Sequence, residues 1–259
     1  MNKMDEIEYP QLAKRVSKYA SSIGLNTNRL FRNSCEEGEE KWSLVVSRKD
    51  RLRKGALIDS PKDPRLNFVC KSITLNEMDE YHKIIDEANC EGFVKRNLAW
   101  EGYVQPTPGF LLLNPVEQVE YALHEAFHQT EKLMSLPWEE PSACITGYLG
   151  AIDFFKGTDL EDLAITHWEN ILKFSNQIHD IYSRLDRLYQ AHRSKEEKNR
   201  VRERVFSEST KLFEDKWGSP INNAFFVYWE HFYGSVPGIY ERDIVRLKDM
   251  KDVVERLIK

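Results

Sequence analysis

The feature that most constrains this chain is His124-Glu125-Ala126-Phe127-His128, set within the stretch from Leu111 to Phe155. Two imidazoles four residues apart face the same way on an α-helix, whose period of 3.6 residues brings i and i+4 onto one side. The local sequence supplies that helix. Asn114 is a good N-cap, Pro115 suits the first helical position, and Glu117 stands three residues after the cap, the spacing of a capping box. Val116, Val119, Leu123, Phe127 and Thr130 then form one stripe, extended by Ala126 and Leu133. His124 and His128 are offset from it, next to Tyr121 and Glu117. Pro137 is expected to end this helix, and a second helix to begin around Glu139 to Ser142 and run to Phe155.

An H-E-x-x-H pattern on a helix offers two neutral nitrogens to one metal ion and places a Glu beside it. A catalytic zinc site wants three protein ligands and one open position. His124, His128 and Glu140 supply that set, with Glu139 as the adjacent rival for the third place. Glu125 is the expected general base, taking a proton from an attacking water and passing it to the leaving group. One zinc ion is therefore the expected cofactor. Ala143, Gly147, Gly150 and Ala151 on the second helix would let the two helices pack closely.

The remaining chain reads as a mixed region followed by helices. A helix is expected over Pro10 to Ile23, stopped by Gly24, then strands at Trp42 to Val46, Leu66 to Cys70 and Gly92 to Val94. A helix over Asn76 to Asn89 has a capping box at Thr74 and Glu77. Trp100 to Val104 and Phe110 to Leu113 read as extended pieces, one of which could pair with a substrate backbone. Downstream, helices are expected over Asp159 to His192, Lys195 to Lys216 and Asn222 to Tyr233. A break at Val236-Pro237-Gly238 precedes two short helices, Ile239 to Met250 and Val253 to Ile258. The expected fold class is α+β and predominantly helical, with a small N-terminal mixed sheet packed on a helical C-terminal region. It forms a single domain over 1–259, with a mixed part over 1–113 and a helical part over 114–259.

A net charge of −5 argues against a general nucleic-acid binder. The charged N-terminus has no apolar core of a signal peptide, and no segment is long and apolar enough to span a bilayer, so the expectation is a cytoplasmic protein without membrane partners. Cys35, Cys70, Cys90 and Cys144 form no CxxC pair and are expected to be reduced thiols. His82, His167, His179 and His192 have no partner spacing and read as solvated or satisfied within the core. In the aromatic helix, Tyr228, His231 and Tyr233 are candidates to donate to a developing oxyanion.

With these residues in view, the chain resembles a bacterial aminopeptidase family, zinc metallopeptidases of the H-E-x-x-H plus Glu type, through nearly its whole length. The resemblance is carried by Ile23-Gly24-Leu25 to Phe31, Trp42 to Ser47, Ala99-Trp100-Glu101-Gly102-Tyr103, His124 to Gln129, Glu140 to Gly147, Leu188-Tyr189, Asn222-Asn223-Ala224, and Tyr233 with Val236-Pro237. It implies a zincin-like fold and metal-dependent hydrolysis of peptide or aminoacyl substrates. By position it supports His124, His128 and Glu140 as ligands and Glu125 as base, and it favours Tyr233 for the oxyanion. Glu101, Tyr103, Asn222 and Tyr228 are the substrate-contact candidates, with Glu101 and Glu139 suited to a free α-amine. The chain departs from the family at Glu139, where the family usually has Asn. The alternatives are a metallohydrolase of a non-peptide amide or ester, and a non-catalytic helical scaffold.

Overall fold

The computed structural model describes residues 9–28, 30–31, 42–52, 70–96, 108–130, 136–217 and 221–259. The described chain is predominantly helical with one small sheet, and it divides into two compact units interleaved in sequence. One comprises residues 1–37, 98–173 and 235–259; the other comprises 38–97 and 174–234. This division does not follow the expected 1–113 and 114–259 parts, because the C-terminal helices return to pack with the motif helices.

The first unit is helical. Helix α1 (Tyr9–Ser22) ends at Gly24, whose φ of +91° is one that side chains rarely adopt, and Leu25 N–H closes the end on Ala20 O at 2.9 Å. Helices α4 (Pro115–Thr130) and α5 (Leu136–Phe155) pack side by side, and α1 lies against α4. Between α1 and α4 comes α3 (Pro108–Leu111), a single helical turn where Phe110 to Leu113 is expected to be extended. The structure corrects that reading: the turn closes with Leu113 N–H on Phe110 O, and Phe110 alone of the run is fully buried while Leu111 and Leu112 are exposed. Helix α5 begins at Leu136, earlier than expected. Pro137 falls in its first turn, where a missing N–H has no helical partner to lose.

At the chain's end a second correction is needed. Val236-Pro237-Gly238 is not a break but the body of helix α9 (Val236–Ile239). It runs into a π-helical turn, Tyr240–Ile244, closed by Val245 N–H on Tyr240 O at 2.8 Å. The helix expected over Ile239 to Met250 stops there. The last helix, α10 (Met250–Ile258), is capped by Asp249 and packs on α5.

The second unit holds the sheet, in the order β2-β1-β3: β1 (Trp42–Arg48), β2 (Cys70–Ile73) and β3 (Cys90–Arg96). Both pairings are antiparallel, so the expected mixed sheet is corrected to an antiparallel one. Strand alternation gives it two apolar faces. Leu44, Val46 and Cys90 pack against Tyr81, Ile84 and Ile85 of α2 (Leu75–Glu87), whose start is the expected Thr74–Glu77 box, with Thr74 N–H on the Glu77 carboxylate at 2.9 Å. Phe93, on the other face, meets Phe225, Tyr228 and Trp229 of α8 (Asn223–Tyr233). Helix α6 (Glu161–Gln190) contributes its residues to Lys173 to the first unit and the remainder to the second, and α7 (Lys195–Trp217) belongs to the second. No helix among the described residues is long and apolar enough to cross a membrane.

Candidate metal centre

The motif helix is built as its sequence dictates. Asn114 Oδ1 accepts from Glu117 N–H and the Glu117 carboxylate accepts from Asn114 N–H, both at 3.0 Å, a complete capping box before Pro115. Val116, Val119, Ala122, Leu123, Ala126 and Phe127 are fully buried, which fixes the rotation of α4. At its C-terminal end Thr130 Oγ1 donates to Ala126 O and accepts from Asn26 N–H. Helix α5 can approach closely because of two glycines. A Cβ at Gly147 would lie 2.7 Å from Glu120 O and 3.5 Å from His124 Cβ, and one at Gly150 would lie 2.6 Å from Leu123 Cδ1.

This approach brings His124, His128 and Glu140 together into a group that could hold a metal ion. The Nε2 atoms of the two imidazoles are 3.1 Å apart, and Glu140 Oε2 stands 3.3 Å from His124 Nε2 and 3.5 Å from His128 Nε2. For bonds of about 2.0–2.1 Å at tetrahedral angles, donor atoms lie about 3.3 Å apart, and the three edges here bracket that separation. Glu140 Oε2 is itself buried without a well-formed hydrogen bond, a costly position for a carboxylate oxygen unless a cation completes it. The three side chains retain 14% to 22% of their surface, so the group is sheltered yet reachable. The residues therefore fit the ion that the pattern implies.

Glu139 takes a different place. Its Oε1 lies 3.0 Å from His128 Nδ1, on the far side of the ring from the convergence point. Of the two rivals, Glu140 thus reaches the shared point, and Glu139 reaches the ring that points there. Glu125, directly after His124, is buried on the same helix at 7% exposure.

The electrostatics couple these groups. Burial opposes charging His128, but hydrogen bonds to Glu139 and Glu140 and the charges of Glu140 and Glu125 outweigh it, raising its pKa from 6.5 to about 10. Burial would likewise raise the Glu140 carboxyl, yet the two imidazoles more than offset it and hold it well below the usual carboxylate range. Before any metal binds, the site accordingly keeps a proton on His128 and a negative charge on Glu140.

One turn earlier on α4, Glu120 Oε1 lies 3.0 Å from His167 Nδ1 of α6. The 47-residue separation hides this pairing from any spacing rule; the available signal was a Glu on the His face of a helix with an apolar flank. His82 and His192 are exposed, and His179 is half exposed with Nδ1 3.0 Å from Glu230 Oε1.

The other expected site residues divide into two groups. Glu101 and Tyr103, with the extended piece Trp100 to Val104, lie outside the described residues, as do Cys35 and the link over 131–135. Tyr233, Tyr228 and Asn222 belong to the second unit. Tyr233 stacks on Trp229 with ring centroids 5.5 Å apart, and Tyr228 is buried against Phe93 and Phe232 with Lys95 over its ring. Both ends of the Asn222 amide are engaged within the fold: Oδ1 caps α8 on Phe225 N–H at 3.0 Å, and Nδ2 donates to Gly92 O at 2.9 Å. Asn223 continues that brace, donating to Arg48 O and accepting from the Tyr189 hydroxyl. Cys90 and Cys144 are buried and outside any disulfide.

No family model, curated protein or solved structure matches the chain, so its function has to be argued from the residues of the centre themselves.

Proposed function

We propose that this chain is a zinc-dependent hydrolase of peptide bonds, aminopeptidase-like in its substrates, with a zincin-like arrangement of α4 and α5. The observation that carries the reading is the convergence of His124 Nε2, His128 Nε2 and Glu140 Oε2 on one point, with Glu125 next in sequence to the first ligand. Two neutral nitrogens and one carboxylate leave a doubly charged ion with net positive charge, which suits a hydrolytic site. When bound there, the ion supplies Lewis acidity, making a water more acidic and a carbonyl more electrophilic.

The chain's own residues supply the remaining work. The Glu125 carboxylate accepts the proton of the attacking water and returns it to the leaving amine, so a single buried carboxylate serves as base and then as acid. Glu140 and the helix packing at Gly147 hold the ligands in register.

The experiment is metal analysis of the purified chain together with hydrolysis of a panel of aminoacyl and internally cleaved peptides, before and after chelation. Zinc at one ion per chain and chelator-sensitive cleavage are expected. Glu125→Gln should retain the zinc and lose hydrolysis by about 10²-fold or more. Full turnover in that variant, or a chain that takes up no zinc, would overturn the reading.

A further inference from the structure

The two imidazoles of the centre differ in what holds them. His124 has no hydrogen-bond partner for Nδ1 among the described residues; its Nε2 faces Glu140 and His128. His128 is gripped from both sides, with Nδ1 3.0 Å from Glu139 Oε1 and Nε2 facing the convergence point. Glu139 and Glu140 are neighbours on α5, whose 100° turn per residue aims two adjacent carboxylates at opposite edges of one ring.

A neutral imidazole carries its proton on one nitrogen and its lone pair on the other, and the hydrogen bond made by the first decides which is which. A carboxylate can only accept, so a 3.0 Å contact to Nδ1 requires a proton there and makes Nε2 the nitrogen whose lone pair serves the ion once the ring gives up its other proton. Glu139 is 29% exposed and sits inside a helical turn, with its backbone fixed by α5 rather than by a loop.

We infer that Glu139 is the positioning residue of the metal centre: its carboxylate holds the proton on His128 Nδ1 and fixes the ring plane, so that Nε2 is the nitrogen that faces the ion and the loaded ring is the Nδ1–H tautomer. This rests on the reading of His124, His128 and Glu140 as ligands, and it gives the tandem Glu139-Glu140 a division of labour in which the second residue binds and the first aims. It also predicts an asymmetric centre, in which His128 is the pre-set ligand and His124 the adjustable one.

The test is a titration with zinc alone, against a competing chelator, of wild type, Glu139→Gln and Glu139→Ala, with nitrogen-15 spectra of the imidazoles in the loaded chains. Loss of an outer carboxylate of this kind costs about 10- to 100-fold in metal affinity. Glu139→Ala is expected in that range. Glu139→Gln, whose carbonyl can still accept from Nδ1–H, should lose less and retain the tautomer. In wild type the His128 Nδ1 proton should be hydrogen-bonded and slow to exchange; in Glu139→Ala it should exchange rapidly or the ring should turn to ligate through Nδ1. Should Glu139→Ala fold poorly, Glu139→Gln against wild type still reads the charge contribution. Equal zinc affinity and unchanged His128 signals in the variants would overturn the role of Glu139 while leaving the metal centre intact. A wild-type chain that binds no zinc would overturn both.

Discussion

Helix α4 takes part in two Glu–His contacts that look the same bond by bond and differ at the second nitrogen of the ring. His128 Nδ1 and His167 Nδ1 each stand 3.0 Å from a carboxylate oxygen, of Glu139 and Glu120 respectively. At His167 the arrangement is a closed pair: the hydrogen bond to Glu120 raises the imidazole pKa, burial raises that of the carboxyl, and the two are best described as sharing a proton. At His128 the second nitrogen goes on to meet His124 and Glu140, and the contact becomes the outer layer of a centre. A carboxylate on Nδ1 therefore orients a ring and says nothing more. What makes a site is the convergence of further donors on the other nitrogen.

The largest expected effect separates the two contacts outright. His128→Ala removes one of three ligands and should lower zinc affinity by about a thousandfold, measured by chelator competition. His167→Ala should leave zinc affinity unchanged. It instead strands Glu120 in a buried position, costing about 1–3 kcal/mol in thermal or denaturant unfolding. If His167→Ala released the metal, the two arrangements would be one network and the comparison would fail.

A comparable effect is expected at the helix contact that lies beside both pairs. Gly147→Ala would place a methyl 2.7 Å from the Glu120 backbone oxygen, which cannot move without α4. Overpacking of this sort costs about 1–3 kcal/mol, and because His124 Cβ is also in contact, zinc affinity should fall with stability. Gly150→Ala meets the terminal methyl of Leu123, a flexible group, at 2.6 Å, and should cost less and spare the metal. Equal losses of affinity in the two variants would mean that the centre does not depend on the local approach at Gly147.

These variants also mark how far the sequence alone leads. The cap at Asn114, the buried stripe of α4, the small residues of α5 and the common face of His124 and His128 follow from periodicity and spacing, because a helix fixes which side chains share a face. The partition between Glu139 and Glu140 does not follow. It depends on α5 starting at Leu136, and Pro137 reads as a terminator just as well as a first-turn residue. The pair Glu120–His167 and the brace at Asn222 and Asn223 were illegible for a different reason, since their partners are far away in the chain. Phe110 misled because a short apolar run has no period of its own to tell a strand from a buried helical turn.

The smallest expected effect is a slope, and it distinguishes the two contacts by sign. In the metal-free chain His128 has a pKa of about 10 against an ordinary 6.5, because its Nδ1 and Nε2 protons face Glu139 and Glu140. A folded-state pKa above the unfolded one stabilises the protonated form. The contribution is therefore fully present below about pH 6.5 and is lost as pH rises through about 10. Zinc needs the Nε2 lone pair, so uptake at any pH below that expels a proton, and apparent affinity should climb about tenfold per pH unit across the neutral range. The thermal midpoint of the metal-free chain should thus fall over the same interval in which zinc affinity rises. In Glu139→Gln one of the contacts that raise His128 is weakened, so the affinity slope should flatten at a lower pH. His167→Ala should leave the slope as it is, since the proton it shares with Glu120 takes no part in binding the ion. A flat affinity profile in wild type would mean that His128 is already unprotonated in the metal-free chain, and that its contacts with Glu139 and Glu140 are looser than their distances imply.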